Sequence, residues 1–444
     1  MTTRNKYLAT ALLAVLPFCA FGQTNGSNSP YSRYGFGLLS DGANAFNKSM
    51  AGTAYGMHNG KELNTKNPAS YAAIDSLTFL FDLGLSLQNG NFSQNGSKTN
   101  AKNTSIDYIT AGFRIAPRIG MSLGIMPFST IGYKMINTQS KQMENGLTEM
   151  TQTNTFSGDG GLHTAYIGYA WAPVKALSLG VNAGYLWGDI EHKSVMNISG
   201  TTASSSDVPT STQTYSADIR SYKVDFGLQA DIPINKKNKL TLGVTYGLGH
   251  DINRNASYNV RRSTSSSVVS DTTYTCKNAF QLPHTLGVGL TWTLNDALRV
   301  GVDYTWQKWS NVKYPTVITN SDRTLSYVAQ KGFFNNAHKV SLGAEYIPNE
   351  SGLRWREHVR YRAGVAYGTS YTKINGSEGP HDFLASIGVA LPIVNLYNNR
   401  TFINLGVQYE HVKPKIAGQI TENYIRFSIG INFNERWFMK WKAE

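Results

Sequence analysis

Strict alternation of apolar residues with small or polar ones is the feature that most limits what this chain can become. In 177–188 the odd positions read Leu177, Leu179, Val181, Ala183, Tyr185 and Trp187, and the even ones are mostly Gly, Ser and Asn. Segment 240–249 sets Leu240, Leu242, Val244, Tyr246 and Leu248 against Thr241, Gly243, Thr245, Gly247 and Gly249. Segments 285–294 and 425–433 repeat the pattern. Successive side chains of a strand point to opposite faces, so a period of two means strands whose faces meet different surroundings.

The apolar faces often end in an aromatic residue, as at Trp187, Trp292 and Trp306. That placement fits the interfacial girdles of a membrane barrel. The opposite faces are rich in Gly, Ser, Thr and Asn, which suits a crowded lumen. They also carry charges of both signs: Lys223, Asp225, Asp231, Arg299, Asp303, Glu345, Arg362, Glu410 and Arg426. Charged residues make up only 16% of the chain, against about 25% in average globular chains. The spacing predicts an all-β fold, a transmembrane antiparallel β-barrel of about fourteen strands. The expected strands are 77–88, 104–115, 118–128, 162–172, 176–189, 216–231, 239–253, 276–294, 297–308, 332–347, 357–371, 382–392, 401–411 and 421–434. Short turns alternate with long polar stretches at 89–103, 129–161, 190–215, 254–275 and 309–331, which read as external loops with few bulky apolar residues. An even strand number places both termini on the periplasmic side. No blade-like repeat supports a soluble propeller.

The chain opens with a secretory signal over 1–22. Arg4 and Lys6 are its basic region, Tyr7 to Phe18 its apolar stretch, and Ala20-Phe21-Gly22 sets cleavage before Gln23. Phe18 before Cys19 argues against a lipoprotein. After Gln23 no apolar run reaches the roughly 18 residues of a membrane helix. Cys276 is then the one remaining cysteine, so a strand ladder and not a disulfide must hold the fold. The formal charge of +13 is scattered along the chain, which argues against nucleic acid as a partner. No nucleophile elbow, zinc helix or other catalytic constellation is present. The chain reads as a non-enzyme without cofactor or metal.

Residues 23–76 do not alternate. They read Ser29-Pro30-Tyr31-Ser32-Arg33-Tyr34-Gly35-Phe36-Gly37, then Ser49-Met50-Ala51-Gly52-Thr53-Ala54, then Asn67-Pro68-Ala69. With the barrel over 77–434 and a periplasmic tail over 435–444, this arrangement resembles the FadL-type outer-membrane transport proteins. Those have fourteen strands and an N-terminal hatch in the lumen. Ser49, Met50, Gly52, Asn67, Pro68 and Ala69 stand where that family carries hatch motifs, and Asn434-Glu435-Arg436-Trp437-Phe438 is similar to a divergent branch of it. The resemblance implies an outer-membrane location in a Gram-negative cell and passive uptake of small hydrophobic molecules. It also implies sideways exit into outer-membrane lipid through a kinked strand. Gly124, Pro127 and Phe128 are the candidate lateral gate, because proline cannot donate to a ladder and belongs at a bulge or opening. The other reading is a non-transport accessory subunit of an outer-membrane protein assembly, secretion or nutrient-uptake complex. Polar lumen positions, large polar loops and the tail Met439-Lys440-Trp441-Lys442 motivate it.

Overall fold

A computed structural model describes residues 27–142, 149–200, 208–352, 354–395 and 398–436. The signal segment and the basic tail lie outside the described residues. Fourteen antiparallel strands form one closed barrel. They are β1 Thr78–Gln94, β2 Ser97–Ala116, β3 Ile119–Gln142, β4 Glu149–Val174, β5 Leu177–Gly200, β6 Thr210–Pro233 and β7 Asn238–Gly247. The second half is β8 Thr285–Leu294, β9 Leu298–Gln307, β10 Ala337–Tyr346, β11 Arg360–Thr369, β12 His381–Asn395, β13 Asn398–Lys413 and β14 Thr421–Arg436. Each strand pairs with its neighbour in sequence, and β1 pairs with β14 from Thr78↔Arg436 to Ser93↔Thr421. That last ladder closes the cylinder by pairing the first strand with the last.

The alternation places side chains as expected. On β8, Leu286, Val288, Leu290 and Trp292 face outward and stay exposed, while Thr291 and Thr293 are buried toward the lumen. The outward residues of the other strands form the same apolar band, with aromatic residues at its two rims. Trp171, Tyr346 and Tyr361 mark one rim; Tyr185, Tyr246, Tyr304, Tyr367 and Tyr409 mark the other. At the tight turn after β8, where Leu294 pairs with Leu298 across three residues, Asn295 and Asp296 both have positive φ, 52° and 55°, a conformation that asparagine and aspartate tolerate.

The stretches expected as long loops are largely ordered strand. β3 runs 24 residues and β4 26, so the ladder continues through most of 129–161. Likewise 190–215 supplies the outer ends of β5 and β6, and β6 also pairs with a hairpin of Ala256–Ser263 and Val268–Cys276. A second hairpin joins Tyr314–Thr319 to Leu325–Gln330. The physical reason is that Thr-rich segments retain β-propensity. Above the membrane the inner faces pack in part on buried aromatic and aliphatic residues and the outer faces meet water, so the ladder persists without strict alternation. The expected single strands 239–253 and 276–294 are interrupted, the first at 248–250 and the second at 277–279 and 282–284, and Ile252, Phe280 and Leu282 beside these breaks are buried.

Candidate functional site

The N-terminal segment occupies the lumen. Its lower part begins with Ala45–Lys48, one helical turn, and ends with a 3-10 helix over Pro68–Ala73. Asn67 starts that helix: its Oδ1 accepts from the Ala69 amide at 3.1 Å, and its Nδ2 donates to the Tyr55 carbonyl at 2.8 Å and the Leu228 carbonyl at 3.2 Å. Asparagine caps in this way because its side chain mimics a backbone turn, and Pro68 suits the first helical position. Ser49, Met50, Asn67 and Ala69 are all buried. Gly52 has φ +85°, and a Cβ there would strike Asp41. The wall is notched to receive this segment. A methyl group at Gly243 would collide with the Tyr55 carbonyl, one at Gly364 with Met50, and one at Gly180 with Pro68 and Ala69.

Buried charge fixes the segment to the wall. Glu62 receives Arg360 Nη1 at 2.7 Å and Arg362 Nη2 at 2.7 Å, with all three side chains at most 2% exposed. Arg362 Nε also reaches Glu345 at 2.7 Å, and Glu345 accepts from Arg299 at 2.9 Å. Opposite charges clamped in this way are costly to bury but far costlier to leave half-made. Asp303 accepts the Ala54 and Tyr55 amides at 2.6 and 2.9 Å. Burial opposes ionisation of Asp41, yet Lys339 and Lys66 outweigh it and hold its pKa below the usual carboxylate range. Burial pushes the His58 imidazole down to about 4.

The upper lumen is apolar. Phe36 is fully buried, with ring centroids of Phe280, Trp309 and Tyr314 at 5.8, 5.7 and 6.0 Å. Trp309 stacks on Tyr371 at 4.3 Å. The Tyr371 hydroxyl donates to the Gly37 carbonyl at 2.7 Å. Gly35 and Gly37, both at positive φ, turn the chain sharply on either side of Phe36. Ile252, Leu282, Val312, Tyr327, Phe334 and Cys276 join this cluster. The loops therefore do carry bulky apolar residues, contrary to the sequence expectation. They are spaced singly and meet only in three dimensions.

One seam of the wall parts. The β2–β3 ladder runs from Ala116↔Ile119 up to Ile109↔Ile125 and goes no higher. Each strand has a bulge there: Asp107 is skipped in the β1–β2 register, and Phe128 is skipped between Pro127↔His163 and Ser129↔Leu162 of β3–β4. Gly124 still pairs, with Thr110. The N-terminal segment covers the free edge of β3. Leu38 and Leu39 pair with Thr130 and Ser129, the Ser40 amide donates to the Phe128 carbonyl at 2.9 Å, and Ser27 Oγ donates to the Gly132 carbonyl at 3.0 Å. On the other side Asn28 Nδ2 donates to Asn103 of β2 at 2.7 Å.

The gate residues and the hatch residues thus stand in separate layers, Ser49 to Gly52 and Asn67 to Ala69 low in the lumen, Gly124 to Phe128 at the seam. What joins them is Gly35-Phe36-Gly37 through Ser40, which sequence reading passed over as merely non-alternating. Two cavities stand out. One of about 280 Å³ lies between the segment and the wall, beside His58, Lys61, Lys239 and Arg299. The other, of about 230 Å³, lies at the external rim beside His338 and His381. Both are polar, and neither enters the Phe36 cluster.

A family model described as BamG matches residues 5–444. No curated protein matches the sequence. Among solved structures, the monoaromatic hydrocarbon channel CymD is similar with a TM-score of 0.58 and 13% identity, over 91% of this chain and 99% of that one. The toluene transporter TodX of Pseudomonas putida gives 0.57 and 13%, over 90% and 100%. A Pseudomonas aeruginosa FadL homologue gives 0.57 and 13%, over 89% and 99%. At these identities the likeness is one of fold, and the FadL-type architecture expected from sequence is borne out.

Proposed function

Because this chain belongs to the BamG family, we propose that it serves as an accessory subunit of an outer-membrane protein assembly complex, in which the barrel is a membrane-embedded body and not an open channel. The observation that carries this reading is the filled lumen. Among the described residues a wall-locked polar layer below and an aromatic layer above pack the lumen, and the two cavities described above are small and polar. A conduit for apolar molecules needs an apolar cavity of several hundred Å³. Here the apolar space is taken by Phe36, Trp309 and their neighbours.

The test is isolation from native outer membranes in mild detergent, with depletion in parallel. The expected result is a stoichiometric complex that survives gel filtration, and a fall in other heat-modifiable barrels of the outer membrane on depletion. A barrel that migrates alone, with the outer-membrane profile unchanged on depletion, sinks this reading.

A second reading has its own observation, the parted β2–β3 seam at Pro127. A small hydrophobic ligand would enter from outside and leave there into outer-membrane lipid, as the channel fold supports. That route requires Leu38 to Ser40 to leave the β3 edge. Uptake of labelled toluene by cells with and without the gene decides it: faster uptake with the gene supports a transporter, and equal uptake removes it.

A further inference from the structure

Six of the nine histidines, His163, His250, His284, His338, His381 and His411, fall near the external rim of the apolar band. Three of them repeat one geometry. The hydroxyl of an outward tyrosine on a rising strand meets Nδ1 of a histidine at the top of the next descending one. Tyr246 and His284 are 2.7 Å apart, Tyr304 and His338 2.8 Å, and Tyr367 and His381 make the same short contact. With the hydroxyl donating to Nδ1, the imidazole proton sits on Nε2.

Two of these pairs flank the rim cavity of about 230 Å³, whose lining includes His338, His381, Asn336, Thr369, Ser370 and Glu378. His381 Nε2 is shielded from solvent and has no hydrogen-bond partner. It lies 3.9 Å from Glu378, whose charge is engaged by Lys415. Lys413, exposed, stands opposite His381 in the β12–β13 register. Among the described residues no group of histidines and carboxylates is suited to a metal ion.

We propose that this cavity binds the phosphorylated sugar headgroup of an outer-leaflet glycolipid. Its position supplies the lipid part: exposed Tyr304, Tyr367 and Phe383 lie just below it on the apolar band, where acyl chains would run. Two imidazole N–H groups with Lys413 nearby suit a phosphate, since hydrogen bonds to an ionised acceptor are the strong ones. Asn336, Ser370 and Glu378 suit sugar hydroxyls. An aromatic girdle alone would need neither the histidines nor the cavity.

The test uses the full-length barrel in detergent micelles and measures retained lipid by native mass spectrometry. The probes are lipid A, phosphatidylglycerol and soluble glucosamine 1-phosphate. Wild type is expected to retain lipid A over phosphatidylglycerol. His338→Phe/His381→Phe, which keeps aromatic bulk and removes both N–H donors, is expected to retain it at least about tenfold less, since a single lost hydrogen bond to an ionised group is already on that scale. His284→Phe, away from the cavity, is expected to change nothing. Heat-modifiable gel mobility reports folding; should the double variant not fold, the single variants His338→Phe and His381→Phe are measured in its place, each expected to retain less lipid A than wild type. Equal retention of the two lipids, undiminished retention by the cavity variants, or binding of glucosamine 1-phosphate as tight as lipid A overturns the proposal.

Discussion

Glu62 is the single residue on which the lower lumen most depends. Its carboxylate joins the N-terminal segment to Arg360 and Arg362 of β11, and through Arg362 to Glu345 and Arg299. Removing it leaves two buried guanidinium groups short of a partner, which costs about 3–5 kcal/mol. Glu62→Ala should therefore lower the urea midpoint in detergent sharply, and an unchanged midpoint would show that the segment is not held by charge. His58 makes a pH-dependent contribution. Its pKa is about 4 when folded, against 6.5 for the free side chain. The unfolded chain thus holds the extra proton between those values, so stability rises with pH across that window. The contribution is present above about pH 6.5 and is lost as pH falls toward 4, on the order of 3 kcal/mol in all. Burial dominates the shift; Lys239 and Arg299 add to it and Asp231 opposes it. His58→Gln should flatten the midpoint-versus-pH curve between pH 4 and 6.5, and a slope unchanged from wild type would assign it to other groups.

The elements differ in how far they can be read from sequence, and the reason is solvent. Strand segments inside the bilayer face lipid on one side and a packed lumen on the other, so alternation is imposed on every residue, as in Leu286 to Thr293. Above the membrane Thr151 to Asn154, Asn197 and Ser199 are polar and half-buried or exposed, and nothing distinguishes them from a polar loop. Asn67-Pro68 was singled out only through the family resemblance, although the cap it forms is local chemistry that the two residues carry. The Phe36 cluster was not, because Phe280, Trp309, Phe334 and Tyr371 come from four separate stretches and share no period. A register shift lies beside Pro127, but the strand that covers the seam, Leu38–Leu39, is two residues long and carries no signal of its own. That short strand separates the two functional readings. Leu38 and Thr130 are direct partners, and antiparallel partners lie about 4.5–5.5 Å apart, within disulfide reach. Leu38→Cys/Thr130→Cys, in a Cys276→Ser background, should oxidise readily and leave the outer-membrane profile intact if the seam is a static feature of a subunit. Loss of toluene uptake on oxidation, restored by reduction, would instead make the seam a moving gate.

At the scale of the whole molecule, wall and plug are separate structures with separate sources of stability. The wall is a ladder in which β1 meets β14, so its backbone groups are satisfied without the lumen contents everywhere but at the upper β2–β3 seam, where the N-terminal segment supplies the partners. The plug adds specificity: glycine notches, the Glu62 clamp and the Phe36 cluster accept one arrangement of residues 27–76. The upper plug and the seam cover are the same piece of chain, Ser27 to Ser40, held by Asn103, Gly132, Thr130 and Tyr371. Deleting Ser27 to Ser40 should therefore leave a folded, heat-modifiable barrel, while removing the core of the aromatic layer and uncovering the β3 edge together. In planar bilayers the wild type is expected to be electrically silent, because packed side chains block both layers. The deleted form is expected to show higher conductance through its loosened upper half, limited by the Glu62-clamped layer. Adding Glu62→Ala to the deletion should raise conductance further, since the lower layer then loses its anchor. Steady wild-type conductance would mean that the lumen is not closed at rest, and the accessory-subunit reading would lose the observation it stands on. Silence of the doubly altered barrel, with folding intact, would place the barrier in the wall itself and not in the plug.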